Sequence, residues 1–580
     1  METKTLLSQS GILITIFLIL VPLVIAALLV MIKAGAVIRN YRRRQALAAF
    51  NNRIKSLSPA ELDQLQQRKA ELEFSLQHNE LGGTLEAADR KGLIDGIDTS
   101  PGLHFIETKK RAQPKHDMPP ELVRLITWYL GCAVFWLVFG TTVGEYLGIK
   151  FSAPDIDHVP WLSFGRLRPV HTNAVFWGWA SIAMVGLAYY VVPRICNTAI
   201  HNVKWGYHTL LAMNAAVVLG SLQLMAGVNN GGGEYREYTW PVMVVFGGGI
   251  LLTLFNFIKT IGRRTTREIY VSNWYVVSAL MFLLVIAFVA YFPAWQNGLG
   301  ETIIQGYYMH QGVGMWFMLF CLGLMYYFLP QQLNKPIYSY GLGILAFWAQ
   351  ILFYTLIGTH HFIFSAIPWW LQTVAIVGSA GMIIPVIAGT TNFLMTFRGA
   401  WNKVAHSYTL PFYLIGIIFY FTGSLQGTAE AFRFTNLLWH FTDFTVAHSH
   451  LTMYGIITFM LWAFIYTLLP RLTGNEPSQL AVGAHFWLAL IGLLFYTIPL
   501  MTGATLKGMM WMDGKPFIES VVLMKPFWLW RAIGGSLMWL SHLVFAFNFY
   551  VMVKGRNTVQ TPESAIDILN AREQMDLQTI

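Results

Sequence analysis

Hydrophobic and polar positions follow one another along this chain in long blocks. Gly11–Met31 is a single apolar run of about the 20 residues that a membrane helix needs. It is followed by Arg42, Arg43 and Arg44, and no small-residue cleavage site stands out. A retained anchor with its C-terminal end in the cytoplasm is therefore expected rather than a signal peptide. Ala34–Pro120 is charged and Gln-rich. Within it, Ser58-Pro59-Ala60-Glu61 reads as an N-cap, a first-turn proline and a capping-box acid. Leu62, Leu65, Leu72 and Leu76 then share one face of an amphipathic helix of about 20 residues. That helix suits either a docking surface or a solvated linker, and Gly82–His116 reads as loop. From Glu121 onward come twelve apolar segments: 122–147, 171–193, 205–227, 240–262, 272–292, 306–330, 340–362, 370–397, 409–428, 442–470, 479–502 and 526–553. The organisation expected is an anchor over 1–33, a soluble cytoplasmic segment over 34–120, a twelve-helix core over 121–556 and a polar tail over 557–580.

Composition agrees. The 580 residues are 55% hydrophobic and 12% charged, with a mean hydropathy of +0.49, against about 25% charged in a soluble domain. The chain is an all-α integral membrane protein, because a backbone in lipid must satisfy its own hydrogen bonds. The net charge of +10 resides in loops and in the N-terminal soluble stretch, which marks topology rather than nucleic-acid binding. The loop Lys259–Arg267 argues most clearly for the cytoplasmic side. Cys132, Cys196 and Cys321 are scattered, and no CxxCH is present. A covalent c-type haem and a paired-cysteine copper site are thus excluded from this chain. If electrons come from a cytochrome c, another subunit carries it.

Histidines give the candidate chemistry. The stretch Leu438–Gly455 holds His440, His448 and His450. His448 and His450, two apart, leave a helix ~200° from one another, so each needs its own partner. Buried pairing with neighbouring side chains is one solution; two large cofactors flanking one helix is another. With alternating orientation, His171, His310, His360, His361, His448 and His450 all fall near the outer face. Polar groups at membrane depth are costly and usually functional, and six at one level describe a metal or haem site. Adjacent His360 and His361 converge only on a small centre, and with His310 they make a three-histidine site suited to copper. His171 with one of His448/His450 can clamp a low-spin haem; the remaining histidine then holds a five-coordinate haem facing the copper.

From Phe164 to Pro470 these residues resemble the haem–copper oxygen reductases, above all the cbb3-type cytochrome c oxidase catalytic subunit. Phe164-Gly-Arg-Leu-Arg-Pro-Val-His-Thr-Asn173 is similar to that family's low-spin haem segment, with Arg168 beside the propionates. Tyr307-Tyr-Met-His-Gln-Gly-Val-Gly314 and Gly358-Thr-His-His361 are similar to its copper-ligand segments. Thr442-Asp-Phe-Thr-Val-Ala-His-Ser-His450 resembles its double-haem helix. The resemblance implies a twelve-helix haem–copper oxidase core, here with one extra N-terminal transmembrane helix. It implies His171 and His450 on haem b, His448 on haem b3, copper on His310, His360 and His361, and His440 near the propionates. Tyr354, six positions before His360, matches the tyrosine that the family links covalently to the copper ligand of the neighbouring helix, here His310. In the loop Gly233–Pro241, Glu234 is a candidate calcium ligand and Glu237 a weaker one, since a cation is needed between carboxylates and propionates.

Dioxygen reduction with electrons from cytochrome c is the activity implied, with proton translocation, membrane-anchored c-type cytochrome partners and a bacterial cytoplasmic membrane. Two departures bear on this. Gly343 and Ala346 stand where the family has polar residues of a proton route, leaving Ser339, Tyr340 and Tyr354. Gln426-Gly427 stands where Glu-Gly is common, which would remove a carboxylate from the high-spin haem. A nitric oxide reductase, with non-haem iron for copper, is the alternative, but its usual glutamate position is Gly314 here. A transporter with structural histidines would show internal repeats, and none is evident.

Overall fold

A computed structural model describes residues 116–555 almost completely and residues 56–70 in part. The expected anchor over 1–33, most of the segment 34–120 and the tail 557–580 lie outside the described residues. What is described of the soluble segment bears out its helix start. Ser58 N–H donates to Glu61 Oε2 at 2.9 Å, and Leu62 N–H closes the first turn on Ser58 O.

Twelve helices of more than one or two turns follow in the described core, with a seven-residue helix, Arg433–Trp439, before the tenth. Eleven are long and apolar enough to cross a membrane: α1 Pro120–Ser152, α2 Phe164–Cys196, α3 Val203–Ala226, α4 Trp240–Gly262, α5 Val271–Tyr291, α6 Leu299–Leu333, α8 Trp369–Thr396, α9 Leu410–Ala431, α10 Asp443–Thr473, α11 Gln479–Met512 and α12 Phe517–Lys554. The remaining helix, α7 Tyr340–Tyr354, is shorter. The sequence places α7 to 362; the helix instead ends at Tyr354, and His360 and His361 sit on a separate 3₁₀ turn, Gly358–Phe362. Polar residues at a helix start and prolines inside a helix also mislead. α2 begins at Phe164, so His171 lies about two turns in, and α12 runs through Pro526 from Phe517.

Three helices form the centre. In the most apolar window of α2 and of α6, 94% of residues are buried, and 89% in α10, against 33–50% elsewhere. Each of the three passes into a π-helical stretch just after its histidines: Ala174–Ala180, Gly312–Met318 and Leu451–Thr458. Such stretches mark functional sites in helices. Hydroxyls close two of them, Ser181 Oγ donating to Phe176 O and Thr458 Oγ1 to Met453 O, both at 2.9 Å. Those same hydroxyls accept from indoles on the neighbouring stretches: Trp316 Nε1 donates to Ser181 and Trp179 Nε1 to Thr458. The widened turns are thus tied to one another, which fixes the histidines they follow. At the periphery α11 and α12 approach through Gly492 and Gly534; a Cβ on Gly492 would sit 2.9 Å from Gly534 O. Small residues permit this close contact in lipid.

Candidate active site

One cavity of about 780 Å³ is lined by all six histidines together with Arg168, Tyr354 and His440. The six histidines that the sequence analysis grouped thus share one cavity.

His171 and His450 face each other across part of it. Their rings are near-parallel, 15° apart, with centroids 6.5 Å from one another. His171 Nδ1–H donates to Gly140 O at 2.7 Å and His450 Nδ1–H to Val446 O at 2.8 Å. A carbonyl only accepts, so both rings keep Nε2 as the free lone pair, the tautomer a metal needs. The separation leaves room for one ion with two metal–nitrogen bonds of roughly 2 Å each. Tyr496 packs against His450 with ring centroids 4.3 Å apart.

His310, His360 and His361 bring one nitrogen each to within 4.8 Å of the others, the metal-competent cluster among the described residues. His360 Nδ1–H donates to Ser379 Oγ at 2.7 Å, and Ser379 passes its own proton to Ala375 O. His360 Nε2 therefore carries a lone pair and stands 2.7 Å from His310 Nε2. Two nitrogens on one ion fit that distance. The Tyr354 ring meets His310 edge-on, centroids 4.9 Å apart. Gln311 Nε2 donates to Tyr354 O at 2.8 Å and Gln350 Nε2 to Gly314 O at 3.2 Å, tying α6 to α7 at this point. A Cβ built on Gly314 would fall within the Tyr354 ring.

His448, on the other side of α10, gives its Nδ1–H to Gln426 Oε1 at 2.9 Å. The carboxylate expected to be missing here is present after all. Glu430, one turn beyond Gln426 on α9, brings Oε1 to 3.4 Å from the same nitrogen. Residues four apart on a helix share a face, which brings Glu430 to the side of α9 that carries Gln426.

Arg168 is paired with Glu234. That guanidinium is one cation beside Glu234, which lines the same cavity. Glu237 is buried and accepts from Asn173 Nδ2 at 2.9 Å; burial raises its carboxyl to about pKa 7. His440 is half-buried at the cavity rim and stacks on Phe441. Ser339 caps α7, accepting from Leu342 N–H, and Gly343 and Ala346 face a packed interior.

Several polar groups that the sequence reading passed over also belong here. Arg531 on α12 and Glu145 on α1 line the cavity; charges inside apolar segments were the signal for both. Asp443 opens α10 and is held by Lys507 Nζ at 3.1 Å and Trp528 Nε1 at 3.3 Å, fixing the histidine helix to α11 and α12.

The family model described as Cytochrome C and Quinol oxidase polypeptide I matches residues 124–537. The Cbb3-type cytochrome c oxidase subunit CcoN1 of Stutzerimonas stutzeri is 30% identical over 451 residues, 74% of this chain and 95% of that protein. A cytochrome c oxidase subunit 1 homolog of Agrobacterium tumefaciens is 31% identical over 445 residues, covering 73% and 82%. A solved heme-copper terminal oxidase dimer shares the fold, with a TM-score of 0.65 at 15% identity over 75% of this chain and 85% of that one. The chain belongs to the subunit I family of haem–copper oxidases. It is a haem–copper cytochrome c oxidase subunit of the cbb3 type, a multi-pass membrane protein.

Proposed function

We propose that this subunit reduces dioxygen to water with electrons delivered from cytochrome c by membrane-anchored c-type cytochrome partners, in a bacterial cytoplasmic membrane, with protons moved across it. His171 and His450 would hold low-spin haem b, His448 the high-spin haem b3, and His310, His360 and His361 the copper. Bound there, the haem iron and copper supply electron transfer and dioxygen binding. The chain's own contribution is placement. Gly140, Val446 and Ser379 set the tautomers of the ligand rings. Tyr354, against His310 in the same cavity, holds a phenolic proton and an electron in reach of the centre.

The observation that carries the reading is the exclusion of any side chain at Gly314 by the Tyr354 ring. A nitric oxide reductase of the familiar type needs a carboxylate at that place, and there is no space for one beside this tyrosine. Metal analysis with turnover assays tests the proposal. One copper per two haems and consumption of dioxygen are expected. A third iron in place of copper, with turnover on nitric oxide alone, would sink it.

Glu430 is a positioning residue for His448. A carboxylate beside a ligand imidazole raises its basicity, and losing such a partner typically costs 10–100-fold in activity or affinity. Glu430→Ala is expected to lower turnover by roughly 10-fold and to lower the iron–histidine stretching frequency of the reduced high-spin haem, with haem content retained. An unmoved frequency would leave Gln426 as the sole functional partner.

A further inference from the structure

Two histidines outside the metal-competent cluster, His485 on α11 and His542 on α12, are 0% and 1% exposed. The described residues leave a polar file through them. At its cytoplasmic end, Glu476 in the α10–α11 loop accepts from Tyr408 Oη at 2.7 Å. The Tyr408 ring stands 6.2 Å from that of Tyr466. Tyr466 Oη accepts from Asn548 Nδ2 at 2.9 Å and lies 3.0 Å from His485 Nδ1. The hydroxyl proton is thereby available to His485 Nδ1, which leaves the ring's N–H on Nε2. Further along, Thr141 Oγ1 donates to Leu137 O at 2.7 Å and lies 3.0 Å from His542 Nδ1. His542 therefore donates through Nδ1 and carries its lone pair on Nε2.

On the two rings and the side chains beside them are four buried atoms without partners among the described residues: His485 Nε2, His542 Nε2, Trp462 Nε1 and Asn548 Oδ1. Trp462 packs on both histidines, with ring centroids at 4.3 Å and 5.7 Å. Two of these atoms are donors and two are acceptors, the complement of an internal water making its usual two to four hydrogen bonds. Unsatisfied groups of this kind require a reason. Past Thr141, one turn along α1, is Glu145. Its Oε1 accepts from Ser536 Oγ at 2.5 Å and its Oε2 is buried without a partner. Thr141, Glu145 and His542 all line the haem-sized cavity.

We propose that Glu476, Tyr408, Tyr466, His485, an internal water, His542, Thr141 and Glu145 form a proton relay from the cytoplasmic face to the low-spin side of the cavity. His485 and His542 each take a proton on one ring nitrogen and release one from the other, so no net charge is left on them, and the steps from Tyr408 to Tyr466 and from Thr141 to Glu145 each pass through a further internal water. Glu145 is the end station, protonated as an electron arrives on the neighbouring haem and released when it leaves. The relay rests on the assignment of a low-spin haem to His171 and His450. It also answers the absence of polar side chains at Gly343 and Ala346, since it runs through α1, α10, α11 and α12 instead of α7. The other titratable or charged groups facing it are Tyr454 on α10, Tyr496 on α11, Arg531 on α12, Arg168 and His171 on α2, and the Asp443–Lys507 pair.

The test is the reduction equilibrium of the low-spin haem as a function of pH in the complete enzyme. In the wild type, reduction becomes harder as pH rises, by up to about tenfold per pH unit for one proton per electron. Glu145→Gln is expected to flatten that dependence to less than about twofold per unit, with the low-spin absorbance unchanged as proof of folding, whereas His542→Phe is expected to keep the equilibrium and to slow the proton uptake that accompanies reduction of that haem by roughly 10²-fold. His542→Gln keeps a hydrogen bond for Thr141 but cannot relay a proton. It should behave like His542→Phe; behaviour like the wild type would make His542 a packing residue and overturn the relay. An unchanged pH dependence in Glu145→Gln would also overturn it. Absence of low-spin haem from the wild-type enzyme would overturn both the haem assignment and the relay that depends on it.

Discussion

Replacing Gly314 with alanine is expected to lower turnover by roughly 10²-fold or more, the scale set by displacing a reacting group by about 1 Å. The new methyl would occupy the space of the Tyr354 ring. Overpacking of this kind ordinarily costs about 1–3 kcal/mol, which a protein of this size survives, so the loss is one of geometry. α6 cannot retreat: Gly314 O accepts from Gln350 and Gln311 holds Tyr354 O, so the two helices are clamped on either side of the clash. The phenol must move, and its edge-on contact with His310 goes with it. Low-spin haem absorbance should remain, because His171 and His450 stand on other helices. The double variant Gly314→Ala/Tyr354→Ala removes the clash. It should regain the wild-type copper content without regaining turnover. Wild-type turnover in Gly314→Ala alone would mean that Tyr354 takes no part in the reaction.

How much of this was legible in the sequence differs from place to place. The apolar blocks located every helix from α1 to α12, since the membrane imposes length and composition directly. They failed at helix ends. Phe164–Pro169 carries two arginines and a proline and so looked like loop, yet it forms the first turns of α2, with Arg168 paired to Glu234. Spacing pointed to the histidines that converge, although His360 and His361 do so from a 3₁₀ turn and not from α7. It could not show that Glu430 replaces a carboxylate at Gln426, or that His485 and His542 share a polar file, since these depend on how helices distant in sequence pack. The charged residues Glu145 and Arg531 within apolar runs were visible, and their cost at membrane depth is the reason to have asked what they face.

The two histidines of α10 allow the haem assignments to be separated. His450→Leu is expected to abolish the low-spin absorbance and to lower turnover driven by reduced cytochrome c to less than about 1% of wild type, because an iron with one axial histidine no longer transfers electrons as a six-coordinate low-spin centre. The high-spin signals should persist. His448 leaves α10 ~200° away and is held by the side chain of Gln426, with Glu430 Oε1 at 3.4 Å, whereas His450 is held by the backbone of Val446 and the Tyr496 ring. No partner is shared, so removing one ring need not disturb the other. His448→Leu should give the converse spectrum, with low-spin absorbance kept and high-spin signals lost. Loss of the same haem in both variants would show that α10 holds one haem and not two. An interchange of the two spectra would reverse the assignments, and the relay ending at Glu145, which lines the cavity on the His171 side, would then serve a different haem.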